Sequence, residues 1–140
     1  MSNAFRAAVE RRDPDAMAAA LHPDVVFHSP AVFKPYEGRE ATMRLLRHVL
    51  EVLEDFRYLD ELSGDGSHGL VFAARVGDKT LEGWDYLKLG GDGLITELTV
   101  MIRPLSGLIA VAQAMGERLA ADEAPQATDA GVPQAADAPA

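Results

Sequence analysis

The chain has 140 residues, enough for one domain with a sizeable core, and its 48% hydrophobic and 25% charged residues are ordinary for a soluble globular protein. Its 22 acidic residues outnumber its 13 basic ones, and a net charge of -9 without a basic stripe disfavours nucleic acid as a partner. Because it has no cysteine, no long apolar run and no signal-peptide pattern, we expect a cytoplasmic protein without disulfides and without a membrane partner.

The predicted elements follow the order helix, helix, strand, helix, four strands and a last helix. Helical or period-2 spacing of apolar residues marks the elements, and Asp13-Pro14 is typical of a helix start. The order is an α+β pattern, in which helices lie against one face of a mostly antiparallel sheet. We predict helices over residues 3–12, 14–21, 40–55 and 106–120, strands over 25–28, 56–62, 70–76, 80–89 and 94–103, and a loop over 31–38.

We predict a single cone-shaped α+β domain over residues 1–121. Its strongly curved sheet wraps around the N-terminal helices, a C-terminal helix follows, and a ligand would sit in the interior of the cone. Residues 122–140 are rich in Ala, Pro, Gln and Asp and contain no aromatic residue, so we predict a disordered acidic tail there.

Asp85 is a charge in an apolar row of the strand over 80–89. Alternation places it on the same face as Leu81, Gly83 and Leu87. A carboxylate on an apolar face is paired, neutral or directed into a cavity. We interpret Asp85 as an acid or base in a pocket. The alternative is a carboxylate that a tyrosine or backbone donor satisfies and that only maintains the shape of the fold.

The last hairpin sets the neighbours of Asp85. A four-residue loop over Gly90–Gly93 would place Asp85 opposite Leu98 and Gly83 opposite Val100. Gly83 leaves a gap beside the carboxylate, which suits either a ligand or a close-packed neighbour.

The opposite row of this hairpin mixes aromatic and charged residues, which is typical of an interface. In the same register Trp84 lies opposite Thr99, and Tyr86 opposite Glu97. We predict a homodimer through this outer sheet face. The alternative is a half-exposed face that the C-terminal helix covers. The expected interface residues are Trp84, Tyr86, Glu97, Thr99 and Met101.

Four segments, His22–Phe27, Tyr36–Arg39, Glu82–Tyr86 and Asp92–Glu97, occur in a distinctive order and spacing. Over roughly residues 3–104 the chain resembles the nuclear transport factor 2-like superfamily, most closely the SnoaL-like polyketide cyclases and ketosteroid-isomerase-like proteins. The resemblance implies a cone-shaped barrel, usually dimeric, with a mostly apolar pocket. Isomerases, cyclases, dehydratases and epoxide hydrolases share this fold.

The resemblance to ketosteroid isomerases implies roles for three positions. Asp85 matches the aspartic acid that donates to the oxyanion, the general-base aspartate falls on Ser29, and the oxyanion tyrosine falls on Phe5. Because two of the three catalytic groups are replaced, we do not expect steroid isomerisation by that route.

Further candidates lie on the first strand and beyond it. Alternation places Phe27 and Ser29 on one face of the strand and His28 on the other, and the resemblance implies that Ser29, and hence Phe27, faces inward. His28 is a candidate base if the strand end bulges. Tyr36 either closes the mouth of the cone or anchors its loop, and Tyr58 is either a partner of Asp85 or part of the pocket wall. The catalytic candidates are Asp85 and His28, and the expected substrate-binding residues are Phe5, Phe27, Ser29, Phe33, Tyr36, Tyr58, Gly83, Leu98 and Val100.

Two functions are compatible with this pattern. The first is a small enzyme of the isomerase, cyclase or hydratase type, acting on an apolar carbonyl- or epoxide-containing molecule with Asp85 as acid or base. The second is a non-catalytic module of the same fold for apolar-ligand binding or dimerisation. We expect no cofactor and no metal, since no two His, Asp or Glu positions repeat at ligand spacing on one predicted face. His48 is expected on a solvated helix face.

Overall fold

The structure is a computed structural model that describes the backbone of residues 3–130 and the side chains of residues 4–122. Residues 3–130 contain four helices and six strands. The helices are α1 (Asn3–Glu10), α2 (Pro14–Ala20), α3 (Arg39–Val52) and α4 (Leu105–Ala130); the strands are β1 (Leu21–His28), β2 (Tyr36–Glu37), β3 (Glu54–Gly64), β4 (Ser67–Val76), β5 (Lys79–Leu89) and β6 (Ile95–Arg103).

The six strands form one curved open sheet in the order β2-β1-β6-β5-β4-β3. Neighbouring strands are antiparallel except β1 and β6, which are parallel. The predicted α+β class with a mostly antiparallel sheet is therefore confirmed. The structure adds β2 within the predicted loop over residues 31–38, where Tyr36 pairs with Phe27.

The first three helices and the inner face of the sheet share one apolar core. Phe5 of α1, Met17 of α2 and Leu46 of α3 pack with sheet residues such as Leu87 and Leu98. Fully burying side chains of this size contributes about 1.5–3 kcal/mol each. This core holds the helices over the sheet.

The C-terminal helix packs on the same inner face, toward the other end of the sheet. Val111 of α4 joins a cluster with Leu81 and Phe72. Gly107 lies so close to β5 that a Cβ there would be 2.8 Å from the Cβ of Leu81. Leu81 belongs to the same row as Asp85, which we call the inner row. The described side chains of α4 therefore do not cover the outer row, which is the opposite row of β5 and β6 with Trp84 and Met101. Among the described helices, none is long and apolar enough to cross a membrane.

The first strand begins earlier than predicted. β1 starts at Leu21, directly after α2, and its pairing with β6 is irregular between Leu21 and Val26. Pro23 lies in this interval, and a proline cannot donate a ladder hydrogen bond. The irregularity therefore accommodates Pro23 within β1.

The last helix is longer than predicted. α4 continues to Ala130, beyond the end expected near Ala120, so residues 122–130 are helical where disorder was expected. Residues 131–140 lie outside the described residues. The division into a domain over 1–121 and a tail over 122–140 stays a prediction.

The expectation of a solvated His48 is wrong. Its side chain is 16% exposed, lies between α3 and α4, and its Nε2 is 2.7 Å from Oδ2 of Asp122. Arg118 of α4 donates from Nε to Nδ1 of His48 at 3.2 Å. Because Nδ1 accepts this hydrogen bond, the ring proton is on Nε2, and His48 therefore donates to Asp122. These contacts attach the extended part of α4 to α3.

The β5–β6 hairpin has a different register from the predicted one. Asp85 pairs with Val100 and Gly83 with Ile102. The connection is one residue longer than Gly90–Gly93, and the ladder is irregular next to it, so the pairing is offset by two residues. An offset of two preserves the faces of a strand. Asp85 therefore stays in the inner row.

The same offset changes the pairs of the outer row. Trp84 pairs with Met101, and Tyr86 pairs with Thr99, where the sequence predicted Thr99 and Glu97. The five residues still share one face of the hairpin, as the alternation predicted.

Candidate functional site

Asp85 lies at a small cavity between the helices and the sheet. The residue is 8% exposed, and the cavity has a volume of about 40 Å³. One water needs roughly 10–15 Å³ of such a volume, so the cavity can hold a few waters but not a typical ligand. The described lining consists of Asp85, Tyr58, Arg12 and the apolar side chains of Phe5, Val9, Met17, Leu46, Val49, Leu50, Leu53 and Phe56.

The carboxyl group of Asp85 is paired with a tyrosine. The hydroxyl of Tyr58 donates to Oδ2 of Asp85 at 3.1 Å. Burial raises the pKa of Asp85 from 3.8 to about 7, although the Tyr58 hydrogen bond acts in the opposite direction. Burial, and then the charge of Asp85, raise the pKa of Tyr58 far above its usual range, so Tyr58 remains a donor. A carboxyl group with a pKa near 7 serves as acid or base at neutral pH.

Tyr58 is positioned by stacked aromatic rings. Phe56 stacks on Phe72 at 4.9 Å between centroids and meets Tyr58 edge to face at 4.9 Å. The ring of Phe72 fills the space beside Gly83, where a Cβ would lie 2.0 Å from it. The gap at Gly83 is therefore occupied by a close-packed neighbour, which corrects the expectation that Gly83 contacts substrate.

The guanidinium group of Arg6 lies over the ring of Tyr58. Its guanidinium carbon lies 5.3 Å from the centroid of the Tyr58 ring. It is 3.0 Å from Glu61 and 3.2 Å from Glu10, counted between nitrogen and oxygen. Two carboxylates thus balance this positive charge, and no cation contacts Asp85 among the side chains of residues 4–122.

Some of the predicted site residues lie at or near Asp85. Phe5 lines the cavity, and Val100 is the direct β6 partner of Asp85. Phe27 and Leu98 are buried in the shared core rather than in the cavity lining. The ring of Tyr36 lies 6.1 Å from that of Phe27, so it anchors the β2 segment onto β1.

His28, Ser29 and Phe33 lie together at a different place. They line an open groove of about 520 Å³ at the end of β1, which also reaches Val100. His28 pairs with Thr99 and so belongs to the outer row. Ser29 accepts at its hydroxyl from backbone N–H groups of the following turn, and Phe33 is fully exposed. The described lining of the Asp85 cavity contains none of the three.

The sequence signalled the missed lining residues without revealing their role. The apolar stripe of α3 was recognised, but a stripe does not distinguish a cavity wall from solid core. Arg12 follows Phe5 and Val9 at helical spacing, so it is a charge on an apolar row, the same signal that marked Asp85. The stripe residues that line the cavity are Leu46, Val49, Leu50 and Leu53.

No metal site is evident in the part of the chain whose side chains are described: no group of three or more His, Cys, Asp or Glu side chains is placed to hold an ion. The expectation that the protein needs no cofactor stays a prediction.

Comparison with known proteins places the chain in a family. Residues 3–98 match the SnoaL-like domain. The structure of a steroid delta-isomerase from Pseudomonas aeruginosa is similar at 43% identity and a TM-score of 0.82, over 86% of this chain and 89% of that one. An uncharacterized protein conserved in bacteria with a cystatin-like fold, from Silicibacter pomeroyi, is similar at 30% identity and a TM-score of 0.79, over 83% and 82%.

More distant structures share the fold alone. A nuclear transport factor 2-like protein of unknown function from Cytophaga hutchinsonii is 21% identical, with a TM-score of 0.58 over 73% of this chain and 86% of that one. No curated protein sequence matches. The SnoaL-like match covers more than half of the chain. The chain therefore belongs to the SnoaL-like domain family, and it shares the fold of nuclear transport factor 2-like proteins.

Proposed function

We propose that this chain is a cytoplasmic enzyme of the isomerase, cyclase or hydratase type, acting on an apolar carbonyl- or epoxide-containing molecule with Asp85 as acid or base. The observation that carries the proposal is a buried carboxyl group with a pKa of about 7 on a mostly apolar cavity. Burying such a group costs stability, and perturbed carboxyl groups cluster at functional sites. The relative named as a steroid delta-isomerase supports the isomerase type.

The chemistry requires both protonation states of Asp85. In the ionised state it removes a proton from a carbon next to a carbonyl. The protonated group then returns that proton to another carbon of the conjugated system, so one residue completes a double-bond shift without a second base. In a hydratase or epoxide reaction the protonated form would donate to the oxygen of the substrate. A pKa of about 7 keeps both forms populated at neutral pH.

Substrate entry requires the cavity to widen, because about 40 Å³ does not admit a molecule of this kind. The lining includes two short helices, α1 with eight residues and α2 with seven. Short elements near a chain terminus open at lower free-energy cost than central strands. Movement of α1 and α2 away from α3 is the opening that the proposal requires.

The test is turnover by Asp85→Asn on a panel of apolar substrates that includes a β,γ-unsaturated steroid ketone, an epoxide and a hydratable enone. We expect turnover to fall by about 10²–10⁴-fold, the usual worth of a general acid–base group. Glu82→Gln is the matched control, since Glu82 lies on the same strand but faces outward and pairs with Arg103 at 2.9 Å.

Two results would contradict the proposal. Undiminished turnover in the Asp85 variant would exclude the acid–base role. Binding of apolar ligands by the wild type without turnover of any of them would favour the non-catalytic binding module.

The second part of the proposal is a homodimer through the outer sheet face. It is supported by the packing of α4 on the inner face, which leaves the outer row of β5 and β6 without a helix over it among the described residues. Met101, on this row, is 57% exposed.

A further inference from the structure

Two arginines border the Asp85 cavity, and their charges are balanced differently. Arg6 has Glu10 and Glu61 within 3.2 Å. Arg12 lines the cavity and makes no ion pair with any side chain of residues 4–122; its Nη2 donates to the backbone carbonyl of Leu50. The positive charge of Arg12 therefore has a neutral acceptor, whereas that of Arg6 is compensated.

Arg12 lies at the solvent side of the cavity. It is exposed, and it occupies the turn between α1 and α2 in a left-handed conformation with a φ of 56°. Its hydrogen bond to Leu50 connects this turn to α3. The neighbouring Arg11 pairs with Asp13 at 3.7 Å and takes no part in the lining. A cation thus stands at the helical rim of the cavity, and the Asp85 carboxyl belongs to the sheet side.

We propose that the Asp85 cavity takes an apolar molecule carrying a carboxylate, and that Arg12 binds this carboxylate at the mouth. This inference rests on the proposed function, because it specifies the substrate class of the same cavity. The apolar lining favours a hydrophobic body, and the uncompensated guanidinium favours an anionic end, which it can bind through two parallel hydrogen bonds. Asp85, once ionised, repels an anion and so keeps the carboxylate at the mouth.

The small volume of the closed cavity adds a reason for this assignment. Part of the lining must move before a ligand enters. The long, exposed side chain of Arg12 belongs to this lining, and its Nη2 donates to the Leu50 carbonyl. A carboxylate offers Arg12 a charge-assisted hydrogen bond in exchange for one to a neutral carbonyl. A neutral ligand offers no such exchange. Anionic ligands are therefore the ones that open the cavity at the lowest cost.

The experiment compares matched ligand pairs by isothermal titration calorimetry at pH 6. The probes are decanoic acid, 4-phenylbutyric acid and 2-naphthylacetic acid, each with its primary amide; at this pH the acids are ionised and Asp85 is mostly protonated. For each acid that binds, we expect an affinity for the wild type roughly 10- to 100-fold higher than that of its amide. This factor is the usual contribution of a hydrogen bond to a charged group, roughly 10- to 100-fold in affinity. Arg12→Gln should remove this preference, so that each acid and its amide bind with equal affinity.

Two further variants separate recognition from structure. Arg11→Gln removes a neighbouring charge outside the lining and should keep the full preference. Arg12→Lys keeps the charge without the bidentate geometry and should keep part of it. Loss of a merely structural hydrogen bond to Leu50 would weaken acids and amides alike. Circular dichroism and thermal unfolding verify that each variant is folded.

Equal affinity for acid and amide in the wild type, failure of all three acids to bind, or a preference that survives in Arg12→Gln overturns the inference. Failure of the proposed function has a different signature. Undiminished turnover in Asp85→Asn would exclude the acid–base role, while the acid–amide difference is read from binding alone and does not depend on turnover.

Discussion

The buried carboxyl group of Asp85 makes the stability of the protein depend on pH. Its pKa is about 7 in the folded state and near 3.8 in the unfolded chain. Between these values the folded state holds a proton that the unfolded state releases, so the free energy of unfolding decreases as pH rises. The stabilisation is complete below about pH 4 and is lost above about pH 7.

Asp85→Asn should remove this dependence, because the amide does not titrate. From pH 5 to pH 8 the free energy of unfolding of the wild type should fall by roughly 3 kcal/mol more than that of the variant, since the decrease extends over the two pH units from pH 5 to the folded-state pKa. Urea unfolding at both pH values measures the difference, with Glu82→Gln as control. Parallel pH dependences in wild type and Asp85→Asn would mean that the carboxyl group titrates as an ordinary aspartate.

The direction of Asp85 could be predicted from sequence, but its partner could not. Alternation along β5 alone directs the side chain inward. The hydrogen bond from Tyr58 depends on two registers, because Tyr58 pairs with Phe72 on β4 and Asp85 pairs with Leu70 on the same strand. The turns and irregularities that connect β3, β4 and β5 set these registers. The sequence around Asp85 gives no indication of them. The sequence therefore predicts Tyr58 as either partner or wall, and in the structure it is both.

At the scale of elements, the faces of the strands were predictable and the offset of the hairpin was not. A two-residue offset moves every partner of Asp85 without moving any side chain to the other face. The cavity depended on a further unpredicted contact, because Phe72 of β4 closes the gap that Gly83 opens in β5. A glycine in a strand indicates close approach, but it does not say whether a ligand or a ring approaches.

Gly83→Ala tests this packing. The added methyl would lie 2.0 Å from the Phe72 ring, and stacking on Phe56 limits how far the ring can move. We expect a destabilisation of about 1–3 kcal/mol, the usual effect of overpacking. Gly91→Ala is the matched control, because a Cβ at Gly91 meets nothing within 4 Å. Urea unfolding measures both variants, and equal stability of the two would show that the ring yields without cost.

At the scale of the whole molecule, the described helices cover one face of the sheet and leave the other without a helix over it. All four helices contribute to clusters on the inner face. On the outer row, Trp84 lies over Gly69 of β4, where a Cβ would be 2.5 Å from the indole. Ion pairs border this row at both ends, at 2.9 Å between Arg103 and Glu82 and 3.5 Å between Lys88 and Glu97. An aromatic centre with a charged rim has the composition of a protein interface.

The length of α4 shows where composition misled at this scale. The Ala-rich acidic sequence after Ala120 carries no apolar stripe strong enough to predict a helix. In the structure the helix runs to Ala130, and Asp122 contacts His48 of α3. Contacts of this kind join residues far apart in sequence, so no local pattern reports them. The same limit applies to the outer face, because contacts with the proposed second copy would not be visible in the sequence of one chain.

Met101→Glu tests the proposed homodimer. Met101 is 57% exposed at the centre of the outer row, so a carboxylate there leaves the core of the monomer intact and places two like charges across a two-fold interface. We expect the wild type to sediment as a dimer and the variant as a monomer with unchanged circular dichroism. Ile109→Glu, at an α4 residue that is 45% exposed, is the control and should remain dimeric. A monomeric wild type at about 100 µM, or a dimeric Met101 variant, would exclude this interface, because like charges directly opposed across a desolvated face are costly.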